Sequence, residues 1–568
     1  MNIQCPFCHA FHWQAESLSS SSIINPKFGM CCYQGKITLP PLEPAPQELM
    51  DLLTSPDRNS LTSFHRLIRN YNNALAMTSV GRKVDTSVND GRGPYVFKIH
   101  GQLSHLAGSL LPAGPAQPNG DPPTPVYAQL YIYDTEEALR YRTDHRHNRR
   151  LDSPTLRILQ DMLYRKHPAV QLYTQAMTLT RHMPPDRDCQ IALRFQENCD
   201  RRRYQNPDAT VREIAVILPG DGDQPSGAQD IILHRKNNSL QRITDCHPLY
   251  PSLRYVLLFP TGQLAWYKTL PFNELEDNTL QAADAAQAED GGDNESLAEE
   301  PNVAGAAGPG KRKYISLAEY NRYRLHIRPQ DIDSQHIFLA GKLFQEYVCE
   351  SWAIAEQKRL FQLKSLQTKL RVDIYQGLAD AVAANADSNV DELGKRFILP
   401  STFPGSTRNM QQRCQDALAI KHYYGGGDLF ITMTANTKWP EIQDALLHGQ
   451  AASDYPDLVV RVFHKKLCAL IKDVKDGALG DMAAYLYTIE YQKHGLPHAY
   501  IIIFLKPNAK LQTPAQIDSL MSLEFPLYND ELLELIKTFM VHTPCGDCNS
   551  SAPCMANGSC SKGFSQGL

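Results

Sequence analysis

Four cysteines within the first 32 residues constrain the fold of this chain more than any other feature. They form a Cys-x-x-Cys pair followed by two adjacent cysteines: Cys5, Cys8, Cys31 and Cys32. A Cys-x-x-Cys turn offers two thiolates to one tetrahedral zinc ion. The other ligands come from Cys31 or Cys32, with a second cysteine or with His9 or His12, since adjacent cysteines cannot easily share one ion. The spacing predicts a structural zinc site, the alternative being small buried thiols.

A second group of soft ligands lies near the other end of the chain. It comprises one histidine and four cysteines within nineteen residues: His542, Cys545, Cys548, Cys554 and Cys560. The surrounding stretch is rich in Gly, Pro and Ser and has no apolar core of its own, so a metal ion would have to stabilise it. We predict a closed zinc site formed by His542, Cys545, Cys554 and Cys560, with Cys548 as a spare ligand.

Composition excludes some classes of protein. The 568 residues carry 57 Lys+Arg against 61 Asp+Glu, and no apolar run approaches the roughly 18–20 residues that span a bilayer. The N-terminus lacks a basic and then apolar signal sequence, so we expect a reducing compartment, where clustered cysteines more often bind metal than form disulfides. A formal net charge of −4 argues against a uniformly basic nucleic-acid binder, but it allows local basic patches.

Local charge is unevenly distributed. Residues 273–310 are dominated by Glu, Asp, Ala and Gly, and they predict a disordered acidic linker that cannot bury enough apolar area to fold. Basic residues mixed with aromatic ones occur at 140–150, 201–204 and 311–328. Such clusters suit a nucleic-acid strand, because cations bind phosphates and rings stack on bases. The alternative for each cluster is an ordinary solvated helix surface.

A candidate divalent-metal site lies in the C-terminal half. Residues 482–505 read as a β-hairpin, and 429–434 as a neighbouring strand that leads into a helix beginning at Pro440. His498 and Tyr500 are two residues apart and therefore project onto one face of a strand. Glu490, Gln492 and His494 on the other arm of the hairpin supply an oxygen or nitrogen ligand if the turn brings them close. A structural histidine is the alternative.

These residues resemble a known family. The segment 490–500 reads EYQKHGLPHAY, which is similar to the E-F/Y-Q-K-R-G-L-P-H-x-H signature of the Helitron Rep-like endonuclease, the Helitron helicase-like N-terminal domain. The resemblance extends to FPGSTRNMQQ at 403–412, DLFITMTANTKWPEI at 428–442, DLVVRVF at 457–463 and MVHTPCG at 540–546. Shorter similar blocks occur upstream, at 35–40, 97–101, 247–251 and 257–262.

The resemblance implies an HUH nuclease of rolling-circle transposons that acts on single-stranded DNA at transposon ends in the nucleus. In that family two histidines and an acidic or amide residue bind Mg²⁺ or Mn²⁺, and a tyrosine forms a covalent link to DNA. The corresponding metal ligands here are His498, Tyr500, Glu490 and Gln492. Residues expected to contact DNA are Arg408, Lys438, Trp439 and Lys493.

Two departures from the family pattern shape the functional expectation. Tyr500 occupies the position of the second metal histidine, and a phenol is a weaker ligand for Mg²⁺ than imidazole or carboxylate. The chain also ends at Leu568, before the family's catalytic tyrosines and helicase domain. We expect a truncated, catalytically degenerate transposase region that binds single-stranded DNA. The alternatives are an active metal-dependent nicking enzyme and a non-enzymatic, zinc-stabilised DNA-binding protein.

The predicted fold class is α+β with several domains. We expect a zinc-binding module at 1–45, a mixed α+β region at 46–272, the acidic linker at 273–310 and a helical region at 311–395. A Rep-like (HUH) antiparallel sheet flanked by helices follows at 396–510, and an extension with the second Cys/His cluster at 511–568. A strand is also predicted at 126–133.

Overall fold

The computed structural model describes separate stretches of the chain, which group into two compact units. The described residues are 1–18, 21–22, 24–84, 98–107, 127–171, 173–174, 189–195, 213–219, 231–234, 241–242, 247–273, 313–329, 336–365, 399–447, 450–491, 495–521, 525–539, 545, 554–556 and 559–560. Unit 1 comprises Met1–Asp85, Phe97–Gln412 and Asn436–Val462, and unit 2 comprises Thr86–Val96, Arg413–Ala435 and Phe463–Leu568.

Several predicted features lie outside the described residues. These are the acidic linker from residue 274 onward, the basic cluster at 201–204, and the site residues Gln492, Lys493, His494, His542 and Cys548. They remain predictions, as do the domain limits.

Unit 1 mixes helices with small antiparallel sheets. Its helices are α1 (Gln47–Leu53), α2 (Arg58–Leu75), α3 (Thr135–Asp144), α4 (Ser153–Lys166), α5 (Tyr250–Arg254), α6 (Leu317–Leu325), α7 (His336–Leu339) and α8 (Lys342–Ser365). Its strands are β1 (Ile3–Gln4), β2 (Phe11–His12), β3 (Ser79–Val84), β4 (Ile99–Ala107), β5 (Cys189–Phe195), β6 (Glu213–Pro219), β7 (Ile231–His234) and β8 (Gln241–Arg242). They pair as β1-β2, β3-β4-β8 and β6-β5-β7.

Side-chain caps explain where three of these helices begin. Asp57 accepts hydrogen bonds from the amides of Asn59 and Ser60 at the start of α2, and Asp152 accepts one from Thr155 at the start of α4. Ser316 and Glu319 form a capping box at α6. Each cap satisfies amides that the first helical turn leaves without intrahelical partners, which fixes the residue at which the helix starts.

A buried ion cluster joins helices α2, α5 and α8. The Glu346 carboxylate on α8 is fully buried, and it pairs with Arg254 at 2.8 Å and with Arg69. Asn72 on α2 donates to the Arg254 carbonyl at 2.9 Å and accepts from the Leu257 amide at 3.2 Å. Because each buried charge has an opposite partner, loss of one member would leave the others desolvated and unpaired.

Glu350, one helical turn beyond Glu346, accepts hydrogen bonds from the Tyr250 and Tyr255 hydroxyls. Burial and the nearby Glu350 carboxylate raise the pKa of Tyr250 well above its usual range, so the phenol stays protonated and can donate. These hydrogen bonds hold α5 and the residue after it, Tyr255, against α8.

Unit 2 contains the sheet that carries the candidate site. Strands β9 (Leu429–Thr434), β10 (Met482–Tyr491) and β11 (Pro497–Leu505) pair antiparallel in the order β10-β11-β9. Along the chain, α9 (Thr407–Tyr424) precedes β9, and α10 (Pro440–Gln443), which belongs to unit 1, follows it. Helix α11 (Pro456–Lys475) begins in unit 1 and leads to β10. Helices α12 (Pro514–Leu520) and α13 (Asp530–Phe539) and the strands β12 (Met555–Ala556) and β13 (Ser559–Cys560) come last.

Close contacts with β11 fix the position of Gly427 and Asp428, the two residues before β9. The Leu505 amide donates to the Asp428 carboxylate at 2.8 Å, and Lys510 lies 3.5 Å from the same carboxylate. A side chain at Gly427 would place its Cβ 2.4 Å from Ile502, so only glycine lets the backbone approach this closely.

Mixed helices and small antiparallel sheets agree with the predicted α+β class. The hairpin at 482–505, the strand at 429–434 and the helix beginning at Pro440 are confirmed. The strand predicted at 126–133 is wrong, because Tyr127–Ile132 forms a 3-10 helix. There the Tyr131 hydroxyl donates to the Leu75 carbonyl at 2.5 Å. This hydrogen bond joins residues 56 positions apart, so local sequence propensity could not predict it.

Asp457 in the first turn of α11 makes stability depend on pH. Burial raises its pKa to about 7, against the opposing effects of Arg461 and the helix-start amides. Because the folded pKa exceeds the unfolded value, this contribution to stability is complete below about pH 4 and is lost as the pH rises to about 7. As the pH rises through that window, the free energy of unfolding of the parent chain should fall relative to that of Asp457→Asn. The difference should change by at most about 1.4 kcal/mol per pH unit. Urea unfolding at several pH values measures it. Asp473→Asn, at an exposed position of the same helix, is the matched control.

Candidate metal centre and nucleic-acid interface

The four N-terminal cysteines meet at one point. The β1-β2 hairpin carries Cys5 and Cys8, and the sulfurs of Cys5, Cys8, Cys31 and Cys32 all lie within 4.8 Å of one another in a buried position. The Cys5–Cys32 and Cys31–Cys32 sulfur distances are 3.8 and 3.9 Å. A zinc ion with bonds of about 2.3 Å places tetrahedral thiolates about 3.8 Å apart, so this set fits zinc.

The sulfurs of both adjacent cysteines lie in the cluster, although adjacent cysteines do not easily share one ion. Tyr33, Gln34 and Gly35 follow them with left-handed φ angles of 52°, 53° and 86°, so the chain turns sharply after Cys32. The Gly35 amide then points back and donates to the Cys32 sulfur at 3.2 Å. An amide that donates to a sulfur favours the thiolate, the form that binds metal.

Arg328 adds positive charge beside the cluster. Its guanidinium lies 3.8 Å from the Cys8 sulfur, stacks over the Tyr323 ring at 3.6 Å, and donates to the Tyr323 and His326 carbonyls at 2.8 Å. Hydrogen bonds from the Cys31 and Cys32 thiols lower the pKa of Cys8, and Arg328 acts in the same direction. The thiolate is therefore favoured at Cys8, whereas hydrogen bonds with Cys32 and Cys5 raise the pKa of Cys31.

Neither of the nearby histidines joins the cluster. His9 directly follows Cys8 in the loop between β1 and β2, where it is exposed and has a φ of 59°. His12 stacks on Phe28 at 4.1 Å, and its Nδ1 lies 2.9 Å from the Glu16 carboxylate. Glu16 also binds Arg461 of α11 through two contacts of 3.0 Å. His12 thus belongs to an ion network that secures the N-terminal segment.

Part of the C-terminal cluster also assembles. The sulfurs of Cys545, Cys554 and Cys560 lie within 4.8 Å of one another and are half-buried, with Cys560 on the β12-β13 hairpin. Burial raises the pKa of Cys545 to about 11, and hydrogen bonds involving Cys560 and Cys554 add to this shift. Three predicted ligands are therefore together, and the fourth, His542, lies outside the described residues.

On the sheet of unit 2, His498 lies directly opposite a carboxylate. Cross-strand pairing sets His498 against Glu490 on β10 and Thr434 on β9. His498 Nδ1 is 2.7 Å from the Thr434 hydroxyl, a contact that orients the ring. With the proton on Nδ1, the Nε2 lone pair is available to a metal ion. Burial lowers the pKa of His498, and the Glu490 carboxylate opposes this shift.

Tyr500 lies on the same face as His498, as the strand alternation predicts, while Ala499 and Ile501 are fully buried on the other face. The Tyr500 ring stacks on Phe430 of β9, with centroids 6.0 Å apart and planes 22° apart. Phe430 is 63% exposed. Around this pair the face carries exposed hydroxyls from Thr432, Thr434 and Thr488. The result is an open aromatic and polar surface.

The predicted DNA-contacting residues do not all lie in one unit. Arg408, exposed near the start of α9, belongs to unit 1, as do the exposed Lys438 and the half-buried Trp439 before α10. The candidate metal residues His498 and Glu490 belong to unit 2. Sequence reasoning missed Phe430 and Thr434, although the strand alternation at 429–434 places both on the His498 face.

Comparison with known families identifies this region. Residues 320–503 match the family described as the Helitron helicase-like domain at N-terminus. The chain carries a Helitron helicase-like domain. The matched segment includes His498, Tyr500 and Glu490, together with Phe430 and Thr434 of β9. Both cysteine clusters lie outside it.

This Helitron helicase-like domain gives the chain a Helitron transposase-related role and points to DNA as its partner. A search of curated proteins found no match. No helix in the described part of the chain is long and apolar enough to cross a membrane.

Removal of one N-terminal cysteine should remove one bound metal ion. We expect Cys8→Ser to lower the zinc content of the purified chain by about one ion per molecule, because three thiolates no longer close the tetrahedral site. Metal analysis after dialysis measures this, and thermal unfolding should show lower stability. Cys414→Ser on the exposed side of α9 is the matched control and should change neither quantity. Equal zinc content in the two variants would contradict the assignment.

Proposed function

We propose that the Helitron helicase-like domain binds single-stranded DNA on the open face of the β10-β11-β9 sheet, with a weakened HUH-like metal site. One observation carries the proposal: Tyr500 stacks on the exposed Phe430 on the same face as His498 and Glu490. At this position the residue contributes a stacking surface, where the family signature has a metal-binding imidazole.

The metal ligands are incomplete. His498, with its ring oriented by Thr434, and Glu490 on the facing strand would hold Mg²⁺ or Mn²⁺, which in HUH nucleases polarises the scissile phosphate. A third ligand from Tyr500 is weak, because a neutral phenol binds hard cations less well than a carboxylate or imidazole does. We therefore propose that ion binding is weak and that nicking activity is lost.

The same face suits unpaired bases. Phe430 and Tyr500 offer ring surfaces, and base stacking on aromatic side chains is tolerant of sequence. We propose that Arg408, Lys438, Trp439 and Lys493 also contact DNA. Transposon ends in the nucleus are the proposed DNA, by analogy with the family.

We further propose that zinc occupies both cysteine clusters and has a structural role. The N-terminal set is buried and lacks an open coordination position for substrate, as structural zinc sites do. The chain would then bind zinc to stabilise its fold and, weakly, Mg²⁺ or Mn²⁺ at the sheet.

An active nickase is the second candidate function. The observation that favours it is the register itself, because His498 and Glu490 are directly opposed and the imidazole is already oriented. In this case a covalent protein–DNA adduct would form with Mn²⁺ and survive denaturation, and His498→Ala would abolish it. Failure to form any adduct favours the binding function.

Removal of the exposed ring should weaken single-strand binding. Phe430→Ala should lose one stacked base, which is worth about 1–3 kcal/mol or about 5- to 150-fold in affinity. Fluorescence anisotropy with a labelled 15-nucleotide strand measures this. The control is Phe361→Ala, which removes a similarly exposed ring from α8. An equal effect of both variants would show that Phe430 has no specific role.

Restoration of the second histidine should restore metal binding. We expect Tyr500→His to bind Mn²⁺ at least tenfold more tightly than the parent chain, because imidazole replaces phenol beside His498. Isothermal titration calorimetry measures the affinity. Adding His498→Ala to this variant should abolish the gain. If Tyr500→His binds no better, His498 and Glu490 do not form part of a metal site.

A further inference from the structure

The turn between α3 and α4 presents a concentrated positive charge that the proposed function does not use. Four exposed arginines and two histidines lie on or beside it: Arg140, Arg146, Arg149, Arg150, His145 and His147. The turn belongs to unit 1 and lies outside the matched family segment. Over 140–152 the chain has five arginines and only two acidic residues, Asp144 and Asp152.

Backbone and side-chain hydrogen bonds make this turn rigid. The Asn148 side chain donates to the Arg142 carbonyl at 2.9 Å, and its amide donates to the His145 carbonyl at 2.8 Å. The Leu151 amide donates to the Asn148 carbonyl at 2.8 Å. The arginines therefore project from a fixed backbone, which reduces the ordering entropy that binding would otherwise cost.

Contacts with neighbouring helices also hold the turn in place. Arg142 is buried beneath it, donating to the Ala74 carbonyl at 3.1 Å and to Gln160 at 2.5 Å. At the far end, the Asp152 amide donates to the Tyr71 hydroxyl at 2.9 Å. These contacts join the turn to α2 and α4.

The exposed charges are not neutralised locally. Among the described residues, Arg146, Arg149 and Arg150 form no ion pair, and Arg146 donates instead to the His147 ring at 3.1 Å. Burial lowers the pKa of His145, and the positive charges of His147 and Arg146 lower it further. Asp152 caps α4, and Glu137 lies 3.7 Å from Arg140, so among the described residues Arg140 is the one of the four exposed arginines with a carboxylate partner.

Two arginines on the next helix show the contrast. Arg157 forms a two-pronged ion pair with Glu136, and Arg165 binds Glu48 at 2.5 Å. They carry the same charge as Arg149 and Arg150 and are similarly exposed, but each already has a carboxylate partner. A solvated helix surface typically shows such pairing.

We propose that the α3–α4 turn binds the phosphate backbone of duplex DNA. Guanidinium groups match the geometry and charge of phosphate, and the duplex has the higher charge density along its axis. The one tyrosine at 140–151, Tyr141, packs against Tyr133 at 5.4 Å and beneath Arg140, so it is not positioned to stack on an unpaired base. This contact would be independent of sequence and separate from the single-strand face.

Salt dependence of duplex binding tests the proposal. The probe is a mixed-sequence 20-base-pair duplex, and the full chain is compared with the double variant Arg149→Gln/Arg150→Gln and with the control Arg157→Gln/Arg165→Gln. The plot of log affinity against log salt has a negative slope, and the first variant should make it shallower by about 2. Each lost phosphate contact reduces the steepness by about 0.9. The control, with its arginines already paired, should lower it by much less.

Several outcomes would overturn the proposal. Equal slopes for the two double variants would show that net charge alone matters, and absence of salt-dependent duplex binding by the parent chain would exclude the site. If the first double variant lost affinity for a 15-nucleotide single strand but not for the duplex, the turn would be a contact for single-stranded DNA. Phe430→Ala, which tests the sheet face, should leave the duplex slope unchanged, so failure of one proposal is distinguishable from failure of the other.

Discussion

Four cysteine sulfurs within 4.8 Å of one another are the constraint around which the N-terminal part of unit 1 is organised. The core beside them draws on segments far apart in the chain, including Phe28, Trp266, Ile315 and Tyr320. The Trp266 indole donates to the Ile315 carbonyl at 2.8 Å, which joins two of those segments directly. A metal ion bound to the four sulfurs would therefore stabilise the packing of residues as distant as 5 and 323, and not only a short finger.

A second buried arrangement supports unit 1 without metal. Glu346 neutralises Arg254 and Arg69, and Glu350 receives two tyrosine hydroxyls, so three helices share one polar core. Such a core specifies a packing arrangement more than it adds stability, because desolvation offsets much of the attraction. The two arrangements act on different segments of unit 1.

Much of the local structure could be predicted, and the reasons are specific. Runs of β-favouring residues on either side of the Gly-Leu-Pro turn predict the β10-β11 hairpin, and the two-residue period of a strand assigns each side chain to a face. This period placed His498 and Tyr500 on one face. What could not be predicted depends on distant partners, such as Arg69 with Glu346, 277 positions apart, or Tyr131 with Leu75. Participation of both Cys31 and Cys32 required the left-handed turn at Tyr33 and Gln34, which non-glycine residues rarely adopt.

The open face of the sheet explains how the chain can accommodate Tyr500 at a position where the similar family signature has a histidine. Ala499, Ile501 and Ile503 pack on the buried face, so a change on the opposite face removes no core contact. Tyrosine has a high propensity for strands, and here its ring packs across the strand pair against Phe430. The sheet therefore retains its pairing, with Thr434 still orienting His498. Under the proposed function, chemistry at this site can be lost while the surface that holds a DNA strand is kept, because the two depend on different atoms of the same face.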